Sequence, residues 1–126
     1  MAKITISHEI SRNEGKCNIH FPGLTYKEWT IFVDVDPPEH APYIKHIKYI
    51  LSQSYPHRKM TIKNTVNRFE YKTCGYQSNH IECLFDFGKS TSKRDENVYK
   101  TMSYFVDFNN DGPSTKIEFS QQLPPP

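Results

Sequence analysis

Apolar and polar residues alternate along short runs of this chain. In Glu28-Trp29-Thr30-Ile31-Phe32-Val33-Asp34-Val35, the residues Trp29, Ile31, Val33 and Val35 fall on one face of an extended segment. That face is expected to enter a core. In Ile47-Lys48-Tyr49-Ile50-Leu51 the odd positions are again apolar, while His46, Lys45 and Lys48 keep the neighbourhood polar, as on a half-buried sheet. A helix is the alternative reading of this second segment. Runs rich in Val, Ile, Thr, Tyr and Phe recur along the chain, and helical periodicity is scarce. The pattern predicts an all-β fold. Its strands are expected at Lys3 to His8, Cys17 to His20, Glu28 to Val35, Tyr43 to Leu51, Lys59 to Lys63, Arg68 to Thr73, His80 to Phe87, Lys100 to Phe108 and Thr115 to Phe119.

Turn residues punctuate this map. Pro37-Pro38 and Pro56 each follow a strand, and Asn109-Asn110-Asp111-Gly112-Pro113 precedes the last one. The polar stretch Gly88 to Asn97 reads as a solvated loop between Phe87 and Val98, and Leu123-Pro124-Pro125-Pro126 as an extended tail. A length of 126 residues suits one domain, expected over residues 1–120, with a Pro-rich tail over 121–126. An aromatic share of 13% argues against a disordered chain and for an aromatic core.

Charge narrows the partners. A net charge of +2 is near balance, so nucleic acid is not expected as the main partner. Lys45, Lys48, Arg58, Lys59 and Lys63 read as a solvated basic face. No apolar run approaches the roughly 20 residues that cross a bilayer, and the alternating start Met1-Ala2-Lys3-Ile4-Thr5-Ile6 is unlike a signal peptide. An intracellular location away from the membrane is expected. Cys17, Cys74 and Cys83 lack CxxC spacing, so they read as buried or bystander thiols and suggest neither a disulfide framework nor a zinc site.

Enzyme signatures are missing: the sequence has no GxSxG elbow, no phosphate loop ending in Lys and Ser or Thr, and no HExxH pair. The six histidines are dispersed, and five glycines leave little material for an anion-cradling loop. The chain therefore reads as non-catalytic, with no cofactor and no metal. A small enzyme or metal protein using His57, His80 and Asp107 is the reading to set against it.

Three segments stand in order: Trp29-Thr30-Ile31-Phe32-Val33, then Tyr43 to Pro56 ending in Leu51-Ser52-Gln53-Ser54-Tyr55-Pro56, then Phe69-Glu70-Tyr71-Lys72-Thr73-Cys74-Gly75-Tyr76. Together with the closing alternation Ile81-Glu82-Cys83-Leu84-Phe85-Asp86-Phe87, they resemble the YEATS domain family over about Gly23 to Phe108. The resemblance implies an immunoglobulin-like β-sandwich of two antiparallel sheets, the same fold class that the strand pattern predicts.

It also implies a function. Eukaryotic members of the family read acylated lysine, acetylated or crotonylated, on histone tails, gripping the flat amide between aromatic rings. Acylation removes the lysine charge and leaves a planar amide with an apolar tail, which suits ring stacking and a few hydrogen bonds. The resemblance assigns Tyr55 and Tyr76, the latter after Gly75, as the two aromatics of the slot, Ser54 as the hydroxyl donor, and the backbone at Gln77 as the source of an N–H to the acyl carbonyl. Ser52 stands where the family has a pocket histidine, and Leu24 where it has an aromatic. The family's Phe beyond the turn is replaced by Asn79 or His80, depending on the gap chosen. For Tyr55 and Gly75-Tyr76 a purely structural reading stands beside this one, as a strand-end aromatic and a turn of the sandwich. Trp29 reads as core.

Two functions follow. The first is a reader of acylated-lysine peptides such as histone tails, nuclear in a eukaryote. The second is a prokaryotic YEATS-like interaction or signalling module, cytoplasmic, with other protein domains as partners and no acyl-lysine binding.

Overall fold

Each alternating run forms a strand where its apolar face finds a facing sheet. The computed structural model describes residues 2–10, 27–52, 55, 58–75, 78–89, 97–108 and 116–121. Their strands are β1 (Ala2–Ile10), β2 (Lys27–Asp36), β3 (His46–Ile50), β4 (Lys59–Lys63), β5 (Tyr71–Gly75), β6 (Asn79–Lys89), β7 (Asn97–Val106) and β8 (Ile117–Gln121). They make two four-stranded sheets, ordered β5-β2-β1-β8 and β4-β3-β6-β7. All pairings are antiparallel. The all-β reading with two antiparallel sheets is borne out.

Register places the apolar residues on matching faces. Ile4 pairs with Val35 and Ile6 with Val33 in the first sheet. Ile47 pairs with Phe85 and Tyr49 with Cys83 in the second. Trp29, Ile31, Ile47, Tyr49, Phe85 and Tyr104 are among the residues fully buried between the sheets. Rings cross the interface: Phe85 meets Phe119 edge-on at 5.3 Å, and Tyr49 stacks with Tyr71 at 6.5 Å. Each such side chain contributes about 1.5–3 kcal/mol by leaving water. Trp29 is core, as its position in β2 predicts.

The structure moves several expected boundaries. The segment expected as a strand from Tyr43 starts at His46, because Pro38–Tyr43 forms a 3-10 turn that contains Pro42. The strand expected from Arg68 starts at Tyr71. Ahead of it Arg68 and Phe69 take left-handed conformations, with φ of 57° and 50°. Non-glycine residues adopt that region at a cost, and three contacts hold it here. Phe69 is buried, its carbonyl accepts a hydrogen bond from the Tyr49 hydroxyl at 2.9 Å, and Arg68 makes two bonds to the Asp34 carboxylate at 2.7 and 2.8 Å.

β6 runs past Phe87 through Gly88 to Lys89, where a loop was expected, by means of a β-bulge. Gly88 has a φ of +82°, and its N–H donates to Asp86 Oδ1 at 2.8 Å. The strand expected from Cys17 to His20, most of the loop before Val98, and the tail after Gln121 lie outside the described residues.

The cysteine reading needs correction. Cys74 is disulfide-bonded, while Cys83 is a free, buried thiol. Spacing along the chain carries no information on Cα separation, which decides whether two cysteines bridge. Burial pushes the Cys83 thiol up to about 12.

Candidate functional site

Antiparallel pairing brings the finishes of β1, β3, β5 and β7 and the starts of β2, β4 and β6 to one end of the sandwich. Ile10 pairs with Trp29, and Lys27 with Gly75, so this end carries the start of β2 and the finish of β5. The segment after β3 folds back here. Leu51 N–H donates to the Arg58 carbonyl at 2.6 Å and Tyr55 N–H to the Ser52 carbonyl at 3.1 Å. These bonds close the connection to β4 and turn Tyr55 inward.

Tyr55 is 6% exposed. Its hydroxyl accepts two hydrogen bonds, from Trp29 Nε1 at 3.1 Å and from Asn79 Nδ2 at 3.1 Å. Its ring meets the Trp29 indole edge-on at 6.2 Å. A buried tyrosine has to satisfy its polar tip, and these two donors do so.

Gly75 lies directly against Tyr55. A Cβ at this position would overlap the Tyr55 hydroxyl, and would stand 2.9 Å from Tyr55 Cζ and 3.3 Å from Phe108 Cζ. Only glycine lets the β5 backbone approach the ring this closely. Phe108 is fixed in turn, because its N–H donates to Ser78 Oγ at 2.8 Å.

Next to this group His8 extends the inward-facing row of β1 and is buried. Its Nε2 lies 3.3 Å from the Asp107 carbonyl, which can only accept, so Nε2 carries a proton. In the neutral ring Nδ1 then accepts the Tyr104 hydroxyl, at 2.6 Å. That bond links β1 of one sheet to β7 of the other.

The structure thus brings Tyr55, Gly75 and the half-buried Ser52 to one end of the sandwich. Leu24, Ser54, Tyr76 and Gln77 lie outside the described residues. Sequence reading passed over His8 and Phe108. A signal for His8 was available: Ala2, Ile4, Ile6 and His8 share one face of β1, so a histidine stands at a core position. Asn79, one of two candidates for the family's Phe position, is buried against Tyr55, whereas the exposed His80 ring lies tilted against Phe105, with centroids 4.7 Å apart. His57 of the alternative metal reading lies outside the described residues, and among those described no group of three or more His, Cys, Asp or Glu could hold a metal ion.

An open cleft of about 290 Å³ flanks the Leu51–Arg58 closure, lined by Ile50, Leu51, Arg58, His80, Glu82 and Ser103. Among the described residues no helix is long and apolar enough to cross a membrane.

A family model of the prokaryotic YEATS domain matches residues 27–96, from the start of β2 to the residue before β7. The chain belongs to the prokaryotic YEATS domain family. Solved YEATS domains share its immunoglobulin-like sandwich. The Yaf9 YEATS domain recognizing an H3K122suc peptide is 21% identical, with a TM-score of 0.57 over 94% of this chain and 84% of that one. The Yaf9 YEATS domain bound to H3K27ac is 20% identical, with a TM-score of 0.58 over 94% of this chain and 85% of that one. The yeast AF-9 homolog protein Yaf9 is 20% identical, with a TM-score of 0.56 over 98% of this chain and 81% of that one. Identity at this level speaks for shared fold. A comparison with curated proteins finds no match.

Proposed function

We propose that this YEATS domain is a non-catalytic module that binds acylated lysine in a peptide, at the sandwich end formed by Ser52, Ser54, Tyr55, Gly75, Tyr76 and Gln77. The observation that carries the reading is the contact between Tyr55 and Gly75. It sets the segment after β3 against the residue that precedes Tyr76, so the two segments assigned to the slot meet in space. Support also comes from the Yaf9 YEATS domain, which shares the fold and has been solved with H3K27ac and with an H3K122suc peptide. Stacking on an amide, with discrimination against the ammonium of free lysine by desolvation, is the chemistry such an end offers.

A second reading is an interaction module that binds no acyl-lysine. The burial of Tyr55, with its hydroxyl committed to Trp29 and Asn79, favours it, and so does the match to the prokaryotic branch of the family.

Titrating unmodified, acetylated and crotonylated lysine peptides while following backbone amides by NMR separates the two. Acyl-dependent shifts confined to residues 52–55 and 75–77, and lost in Tyr76→Ala, are expected of the reader. Identical responses to all three peptides, or none at millimolar peptide, would leave the second reading in place.

A further inference from the structure

Among the described residues each sheet has two outer strands, and three of those four strands carry charge on their solvent face. β4 presents Lys59 and Lys63, β5 presents Lys72, and β8 presents Glu118, all exposed. Charges on an outer strand deter a second chain from pairing with its open N–H and C=O groups. β7, the outer strand beside β6, differs. Its solvent-facing row reads Tyr99, Thr101, Ser103, Phe105, without a charge. Tyr99 is 56% exposed and Phe105 36%, two of the three large apolar residues most exposed among those described. Lys100 stands on the other face, its ammonium 5.1 Å from the Phe119 ring.

The order of this row is symmetric: aromatic, hydroxyl, hydroxyl, aromatic. We propose that β7 pairs with β7 of a second copy of this chain, antiparallel, about a two-fold axis at Met102. Side chains keep to their own face only if the axis passes through a residue. An axis at Met102 opposes Tyr99 to Phe105 of the second copy and Thr101 to its Ser103. An axis at Thr101 or Ser103 would oppose each aromatic to a small or polar partner. Aromatic pairs and hydroxyl pairs are the cross-strand combinations that stabilise antiparallel sheets. His80 already packs on Phe105, at 4.7 Å, and holds that ring in place for its partner. The two β4-β3-β6-β7 sheets then join into one continuous sheet across the axis.

Sedimentation velocity over a dilution series tests this. The chain should approach twice its 14.8 kDa mass as concentration rises. Tyr99→Lys combined with Phe105→Lys opposes two lysines at each end of the pairing and should weaken association about tenfold or more. An equimolar mixture of Tyr99→Lys chains with Phe105→Glu chains opposes Lys to Glu at one end and keeps the aromatic pair at the other, so the mixture should dimerise better than either variant alone. This mixture decides the matter even if the double variant fails to fold. A monomer at every concentration, a dimer unmoved by the double lysine variant, or a mixture no stronger than its components would each overturn the proposal.

Discussion

The Tyr55 hydroxyl rests on Gly75 so closely that no side chain fits between them, although the two residues lie on different segments of the chain. Gly75→Ala should therefore force Tyr55 or β5 to move. A loss of about 1–3 kcal/mol is expected, as for other overpacked sites, and urea denaturation measures it.

Tyr55→Phe removes the acceptor shared by Trp29 Nε1 and Asn79 Nδ2. Both donors then lose this hydrogen bond, at a combined cost of about 1–3 kcal/mol. The Trp29 indole N–H resonance should move, while more distant amides stay in place. Combined with Gly75→Ala, the loss should be less than additive, because the offending contact is with the hydroxyl itself. An additive double variant would show that the two residues do not share one site.

Arg68 lies over the Phe32 ring at 4.0 Å while forming its two bonds to Asp34. Both partners are largely exposed, so the pair is worth about 0.2–1 kcal/mol, and the ring contact about 0.5–1 kcal/mol. Arg68→Lys keeps the charge but cannot form the fork. It should cost about 1 kcal/mol, less at high salt, measured by denaturation at two ionic strengths. Arg68→Gly should recover part of that loss, since glycine accepts a φ of 57° without strain.

Cys83 gives the fold an alkaline limit. Its thiol ionises near the ordinary 9.0 in the unfolded chain and only at about 12 in the folded one. The folded state therefore binds the proton more tightly, and its stability is fully present below pH 9. It then falls by about 1.4 kcal/mol per pH unit until the folded thiol ionises. Burial raises the Tyr49 phenol as well, with the same sign. Denaturation midpoints between pH 8 and pH 11, compared with those of Cys83→Ala, should show a shallower alkaline fall in the variant.

The sheet core was legible because alternation is a local property. Trp29, Ile31, Val33, Ile47 and Tyr49 could be assigned inward from their neighbours alone, and all are buried. The Arg68–Phe69 turn was not legible, because its left-handed backbone is held by Tyr49 and Asp34, residues remote in sequence. The same holds at the candidate site. Sequence singled out Tyr55 and Gly75, but their contact depends on how the β3–β4 connection folds back, and the parts of Asn79, Phe108 and His8 emerge only once the strands of both sheets converge. The Cys74 disulfide escaped notice for a related reason, since a bridge is set by three-dimensional distance.

β1 lies between β2 and β8 in its sheet, so one of its two ladders is formed by the last described strand, Ile117–Gln121. During synthesis β1 thus waits for β8. Until β8 leaves the ribosome, the open side of β1 has only solvent or a chaperone to face. Closing so distant a pair is the slow step that non-local sheets impose on folding. A nascent chain arrested before Ile117 should resist proteolysis less than one arrested well beyond Gln121.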